Sequence, residues 1–158
     1  MVSVIGGAVL VICAFYYGIE KSRAEKNSLL LIEALYSFVL HIGQQIETFR
    51  TPLPKIYEEY FNEHLEKEGF LQALCERDLF EALLTIRHKL PKDVFLQMES
   101  FSRSIGGGYE KEQTDLCGYT AKRLEESMLE RRELLGSRLK MYRLLPLLLA
   151  LCVVILLL

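Results

Sequence analysis

The chain has 158 residues, of which 51% are hydrophobic and 25% are charged, and its formal net charge at pH 7 is −2. This small negative charge argues against nucleic-acid binding, which usually requires a clear excess of Lys and Arg. The four cysteines form no C-x-x-C pair, so the sequence predicts neither a zinc site nor a redox motif, and we expect no cofactor.

The N-terminal stretch 2–19 contains no charged residue, and this predicts a transmembrane helix. As a helix it would span about 27 Å, close to the ~30 Å hydrocarbon core of a bilayer. The alternative is a cleaved signal peptide or a lipoprotein signal, which is disfavoured because no positively charged n-region precedes the stretch. The basic residues Lys21, Arg23 and Lys26 follow it directly and are expected to flank the membrane.

A long amphipathic helix is predicted next. Apolar residues recur at steps of three and four, which places them on one helical face. These residues define the α1 seam: Ile32, Leu35, Val39, Ile42, Ile46 and Phe49. Leu31 and Phe38 widen the seam, and no stop signal separates this helix from the first apolar stretch. We therefore expect one continuous helix from the membrane into the domain.

The prolines of the sequence Thr-Pro-Leu-Pro are predicted to end this helix. Residues that precede proline avoid the α region, so Thr51, Pro52 and Pro54 indicate a structural turn. Proline suits the first turn of a helix, which predicts a helix over residues 54–67. Its buried side is expected to carry Ile56, Tyr57, Tyr60 and Phe61.

Two further helices are predicted after Gly69. The first covers residues 70–90, with a core face of Leu74, Leu79, Leu83, Leu84 and Ile86. Pro91 then opens a shorter helix that continues to Ile105. The triplet Gly106, Gly107 and Gly108 predicts a flexible turn between helices, because it lacks the residues of a phosphate-binding loop.

The last helix is predicted to begin near Tyr109 and to reach a second apolar stretch, 144–158. Arg138, Lys140 and Arg143 precede this stretch, which we also interpret as a transmembrane helix. Pro146 is expected either to kink this last helix or to begin a separate membrane helix.

The charges near the two apolar stretches indicate the topology. Lys and Arg near the ends of a span resist translocation, and here they lie only on the inner flanks. We therefore expect a cytoplasmic domain over residues 20–143, transmembrane helices at 1–19 and 144–158, and both termini outside. The predicted fold class is all-α, a cytoplasmic helical bundle flanked by an N-terminal and a C-terminal transmembrane helix. Neither span contains Asp, Glu, Lys or Arg, which favours anchors over a pore.

Little in the sequence indicates catalysis. The three histidines lie on different predicted helices without a carboxylate or cysteine at ligand spacing, and no motif sets up a nucleophile. We therefore predict a protein that is not an enzyme. Two acidic clusters are interpreted as solvated surface or, as the less common alternative, as a docking surface for a basic partner: Glu58, Glu59, Glu66 and Glu68.

Several segments, in this order, carry a family resemblance. They are Thr-Pro-Leu-Pro at 51–54, Phe-Ser-Arg-Ser-Ile-Gly at 101–106, Gln113 near the start of a Glu- and Arg-rich helix, and Lys-Met-Tyr-Arg-Leu-Leu at 140–145 before an apolar tail. In this combination the chain resembles the stage III sporulation protein AB family of endospore-forming bacteria.

The resemblance implies a function and a location. Family members are similar to the helical inner-membrane platform proteins of type II secretion and type IV pilus systems. It implies a subunit of a secretion-like channel complex in the mother-cell membrane around the forespore. The partners implied are a motor ATPase and other membrane subunits, in addition to the lipid bilayer and a possible second copy of the chain.

An alternative is a membrane-anchored coiled-coil scaffold in which the α1 seam pairs between chains. The aromatic surface available from residues 54–105 favours a seam that is covered within one chain.

Overall fold

All regular structure in the described part of the chain is helical. The computed structural model describes the backbone of residues 2–157 and the side chains of residues 12–13, 16–136, 141, 148 and 152. The elements are α1 (Val2–Phe49), α2 (Leu53–Glu59), α3 (Glu63–Lys67), α4 (Phe70–Glu76), α5 (Leu79–Ile86), a 3₁₀ turn (Arg87–Lys89), α6 (Lys92–Ser104) and α7 (Glu110–Leu157). No strand occurs between residues 2 and 157, and the predicted all-α class is confirmed.

The chain divides into two compact units. One is Ser28–Glu130, and the other combines Met1–Asn27 with Arg131–Leu158. Helix α1 runs without a break over residues 2–49, as the missing stop signal predicted. Helix α7 continues past Pro146 to Leu157, so no separate helix begins at that proline.

The core of the Ser28–Glu130 unit is built on the α1 seam. Ile32, Leu35, Val39 and Ile42 are completely buried, and Ile46 is nearly so. Phe49, however, is 65% exposed, and its predicted place in the core is wrong. Helix α1 ends at this residue and the chain turns away at Arg50, so the described residues leave the side chain of Phe49 largely uncovered.

Aromatic side chains join α1 to the shorter helices. The ring of Phe38 lies 5.0 Å from that of Tyr60 and 5.7 Å, edge-on, from that of Phe70, measured between centroids. Such tilted and edge-on pairs are favoured by the ring quadrupoles. Tyr57 lies 6.0 Å from Phe38, and burial raises the pKa of Tyr57 to about 12, with smaller contributions from Cys117 and Asp78.

The single helix predicted over residues 54–67 is wrong, because α2 and α3 occupy this range with a break between them. Tyr60 is extended, and the side chain of Asn62 accepts hydrogen bonds from the backbone N–H groups of His64 and Leu65, at 3.0 and 3.3 Å. This N-cap starts a new helix. Phe61 lies in the break and is 72% exposed, contrary to the buried position predicted.

The helix predicted over residues 70–90 is likewise divided, into α4, α5 and the 3₁₀ turn. Asp78 is the cause, because its carboxylate accepts a hydrogen bond of 2.7 Å from the backbone N–H of Glu81 and begins α5. The new start fixes the buried face of α5, on which Leu79, Leu83 and Ile86 lie. Leu84 falls outside that face and is partly exposed, in contrast to its predicted core position.

Helices α1 and α7 approach closely within the Ser28–Glu130 unit. A Cβ atom added at Gly43 would lie 3.0 Å from the Cβ of Cys117, which is closer than ordinary packing allows. A residue larger than glycine would therefore push the two helices apart. Cys117 is buried at this contact, and burial raises the pKa of its thiol to about 11.

Candidate partner-docking surfaces

The predicted acidic docking residues lie at the short helices α2 and α3. Glu58 and Glu59 end α2, Glu66 lies on α3, and Glu68 follows α3. Two of them already have partners: Lys55 lies 3.7 Å from the Glu59 carboxylate, and Lys89 of the 3₁₀ turn pairs with Glu68. We call these four glutamates, with Glu63, the acidic face.

The other carboxylates of the acidic face differ in whether they form an ion pair. Glu63 forms an ion pair of 2.7 Å with Lys67, and this hydrogen bond lowers the pKa of Glu63. Glu58 and Glu66 are exposed and form no ion pair with any described residue. They are the carboxylates available to a partner.

The residues predicted as turns meet at one groove of the Ser28–Glu130 unit. The groove has a volume of about 380 Å³. It is lined by Ile46, Arg50, Thr51, Pro52, Leu53, Pro54, Gly106, Glu110 and Gln113. The Thr-Pro-Leu-Pro turn, the first glycine of the triplet and Gln113 are far apart in sequence, and the fold brings them together. Gly107 and Gly108 stay outside the lining, in the exposed turn beside it.

The end of α1 forms the first wall of this groove. Arg50 adopts the left-handed conformation, with φ of 51°, which is uncommon for a residue other than glycine. Its Nε lies 3.1 Å from a carboxylate oxygen of Glu110 on α7. The hydroxyl of Thr51 donates a hydrogen bond of 3.2 Å to the side-chain oxygen of Gln45, which holds the turn against α1. Because Arg50 and Glu110 are both well exposed, their ion pair contributes little to stability.

The glycine turn forms the opposite wall. Gly106 has φ of 88°, and a Cβ there would lie 3.2 Å from the Cδ1 of Leu53. Glycine thus allows both the left-handed backbone and the close approach to the proline turn. The Nε2 of Gln113 donates a hydrogen bond of 3.3 Å to the carbonyl of Gly108 and ties α7 to the same turn.

A second groove of about 440 Å³ is lined by Glu47, Glu110, Lys111, Thr114 and Asp115. Glu110 belongs to both linings. The sequence reasoning missed Arg50, Glu47, Glu110 and Asp115. A positive-φ arginine at the end of a helix carries no distinctive sequence signal, and three carboxylates on two distant helices become a group only through folding.

The membrane-flank residues are only partly described. Lys21, Arg23 and Lys26 lie exposed on α1. The side chains of Arg138, Lys140 and Arg143 lie outside the described part of the chain, and so do most of those in the two predicted spans.

Among the described residues, one helical segment is long and apolar enough to cross a membrane. It is Tyr16–Phe49, which contains an 18-residue window with a mean hydropathy of 1.4, and half of that window is buried inside the protein. A second such helix over 144–158 is not shown.

The whole length of the chain matches one known family. Comparisons with curated proteins and with solved structures give no match. The family model described as stage III sporulation protein AB matches residues 3–158, a range that includes the acidic face and both grooves. The chain therefore belongs to the stage III sporulation protein AB family, as its ordered motifs predicted.

Proposed function

We propose that this sporulation protein is a non-enzymatic assembly subunit of a secretion-like membrane complex, and that its helical bundle docks the motor ATPase of that complex. Family membership supports a role in sporulation. The observation that carries the docking role is the acidic face, on which Glu58 and Glu66 are exposed without an ion-pair partner among the described residues. Carboxylates in this state attract a basic partner surface and accelerate its association.

The proposed location is the mother-cell membrane around the forespore, with the bundle in the cytoplasm and both termini outside. The apolar start of α1 supports an anchor, because Ile12, Tyr16 and Tyr17 are exposed and not covered by described residues. The exposed Lys21 and Arg23 follow it on the side that the positive-inside rule assigns to the cytoplasm. Spans that contain no charged residue are suited to contact other membrane subunits.

The burial of the α1 seam argues against the coiled-coil alternative. Ile32, Leu35 and Ile42 are inaccessible because helices of the same chain cover them. Pairing of this seam between two chains would require the bundle to open and to lose the hydrophobic contribution of those side chains.

Co-purification tests the docking role. The full-length protein in nanodiscs is mixed with the motor ATPase from the sporulation operon of the same organism. We expect capture of the ATPase by the wild-type protein and its loss in the double variant Glu58→Lys, Glu66→Lys. The matched control is Glu126→Lys, Glu130→Lys, which changes the charge equally at two exposed positions of α7. Capture that persists in the first variant, or that is lost equally in both, would contradict docking on the acidic face.

A further inference from the structure

We propose that the two adjoining grooves form one binding site for an extended segment of a protein partner, in which an aliphatic side chain neighbours an arginine or lysine. The site is called here the α1–α7 groove and consists of the two linings that share Glu110. The inference rests on the proposed function in one respect, namely that the occupant belongs to a subunit of the same complex. It assigns a second contact surface, separate from the acidic face.

The first part of the α1–α7 groove suits an aliphatic side chain. Its floor is the nearly buried Ile46, and its walls include the half-buried Leu53 and the exposed rings of Pro52 and Pro54. The missing side chain of Gly106 keeps this part open, since even a Cβ there would meet Leu53. An aliphatic group of the partner would bury apolar surface on three sides.

The second part of the α1–α7 groove suits a basic side chain. Three of its five lining residues are carboxylates, Glu47, Glu110 and Asp115, and Lys111 is the one cation of that lining. Glu110 is paired with Arg50, whereas Glu47 and Asp115 form no ion pair with any described residue. A guanidinium or ammonium group placed here would meet two unpaired carboxylates.

The end of α1 also favours a basic side chain in the second part of the groove. The last turn of a helix exposes carbonyl groups and the negative end of the helix dipole, which is usually compensated by a basic residue. The last turn of α1 contains no basic residue, and Glu47 adds a further negative charge to it. The nearest cation, Arg50, points its Nε towards Glu110. The backbone N–H groups of Arg50 and Thr51 already bond to the carbonyls of Ile46 and Gln45. A basic group of the partner would therefore act on the helix dipole and on Glu47, and would not be needed to cap those two carbonyls.

Two exposed aromatic residues are chain neighbours of residues that line the α1–α7 groove, although neither belongs to the linings themselves. Phe49 precedes Arg50 and is 65% exposed, and Tyr109 precedes Glu110 and is 82% exposed. Each is thus the chain neighbour of one member of the Arg50–Glu110 ion pair. Exposed aromatic rings are enriched in binding hot spots, and they attract arginine and lysine through cation–π contacts. Exposed rings next in sequence to the groove residues are therefore compatible with the same class of occupant as the carboxylates.

Peptide binding to the full-length protein in nanodiscs tests the inference. The probe is a short fluorescein-labelled peptide of alternating leucine and arginine, measured by fluorescence anisotropy. Peptides of alternating leucine and glutamate, and of alternating serine and arginine, report the charge and the aliphatic requirement separately. We expect the leucine–arginine peptide to bind at least about tenfold more tightly than either, a difference of about 1.4 kcal/mol. Equal binding of all three peptides would overturn the proposal.

Variants of the protein locate the site. The double variant Glu47→Gln, Asp115→Asn removes the two unpaired charges with little change in shape, and we expect about tenfold weaker binding. The control Glu126→Gln, Glu130→Gln removes the same charge from exposed positions of α7, and binding should be unchanged. An equal effect of both double variants would show attraction to the overall charge and would overturn the site.

The result of the peptide-binding experiment can be distinguished from the result of the ATPase capture that tests the proposed function. Capture of the ATPase that depends on Glu58 and Glu66, together with no peptide binding at the α1–α7 groove, leaves the docking role standing and overturns this inference. Peptide binding that depends on Glu47 and Asp115, without capture of the ATPase, supports the groove and contradicts the ATPase as the docked partner.

Discussion

The two parts of helix α1 both contain large apolar side chains, but these side chains lie in different surroundings. In the Ser28–Glu130 unit, Ile32 and Ile42 are completely buried by the protein. In the other unit, Tyr16 is 71% exposed, and Ile12 is exposed as well. Helix α1 therefore forms part of a protein core within the Ser28–Glu130 unit. In the other unit it has apolar side chains that described residues do not cover.

The comparison teaches that apolar content alone does not identify a membrane span. The segment Tyr16–Phe49 is long enough to span a membrane and contains a sufficiently apolar 18-residue window, yet half of that window is buried inside the protein. The apolar side chains of the α1 seam are explained by the bundle core. Those nearer the N-terminus have no such explanation, and a bilayer is the environment that would bury them.

The largest expected effect on stability comes from a charge placed in the buried part of α1. The variant Ile42→Asp places a carboxylate at a completely buried position, and we expect the bundle to lose several kcal/mol of stability or to unfold. The matched control is Leu40→Asp, at an exposed position two residues earlier. Chemical denaturation followed by circular dichroism measures both. Equal stability of the two variants would contradict the assigned core.

A charge in the N-terminal part of α1 should act on the membrane instead. We expect Ile12→Asp to leave the stability of the bundle unchanged, because Ile12 lies outside the Ser28–Glu130 unit. The carboxylate should oppose membrane insertion by up to about 3 kcal/mol. Because the proposed span at 144–158 could keep the protein anchored, the measurement is the accessibility of an N-terminal tag from outside intact cells, with Leu40→Asp again as the control. An equally accessible tag in Ile12→Asp and in the control would argue against insertion of this part of α1.

Two glycines of the bundle should respond in opposite directions. We expect Gly43→Ala to destabilise by about 1–3 kcal/mol, because the new methyl group would lie 3.0 Å from the Cβ of Cys117. Gly118→Ala adds a methyl group with nothing within 4 Å, and its higher helix propensity should stabilise by up to about 1 kcal/mol. Unfolding midpoints report both signs. A stabilising Gly43→Ala would show that α1 and α7 pack less closely than described.

The smallest expected effect is a pH dependence. Burial raises the pKa of Cys117 from 9.0 to about 11, so the folded thiol stays neutral at pH values where the unfolded thiol ionises. This contribution to stability is complete below pH 9 and is lost as the pH rises towards 11. The variant Cys117→Ala should make the loss of stability between these pH values less steep, whereas Cys75→Ala, at an exposed position, should not. Identical pH profiles for both variants would contradict the neutral buried thiol.

Long periodic patterns predicted the fold well, and local caps explain where they failed. The α1 seam from Ile32 to Ile46 is buried as its spacing predicted, and Pro91 stands directly before α6. The predicted helices over 54–67 and 70–90 are broken because Asn62 and Asp78 accept hydrogen bonds from backbone N–H groups and begin new helices. Both residue types are strong N-caps, so the signal was present but was outweighed by the apolar pattern.

The candidate sites show a further limit of prediction from the sequence. The Thr51–Pro52 turn and the glycine triplet are local features, and both are turns in the structure. Their meeting with Gln113 around one groove depends on the path of five intervening α-helices and one 3₁₀ turn, which no local pattern encodes. The exposure of Glu58 and Glu66 agrees with the interpretation of a solvated face.

The division of α1 between a protein core and a bilayer is tested most directly by tryptophan fluorescence. The chain contains no tryptophan, so each single substitution reports one position. The variants Ile12→Trp and Leu40→Trp of the full-length protein are placed in bilayers of brominated lipid, and quenching by bromine is compared with quenching by aqueous iodide. We predict bromine quenching for Ile12→Trp and iodide quenching for Leu40→Trp. Iodide quenching at both positions would contradict the account, because the N-terminal part of α1 would then lie in water.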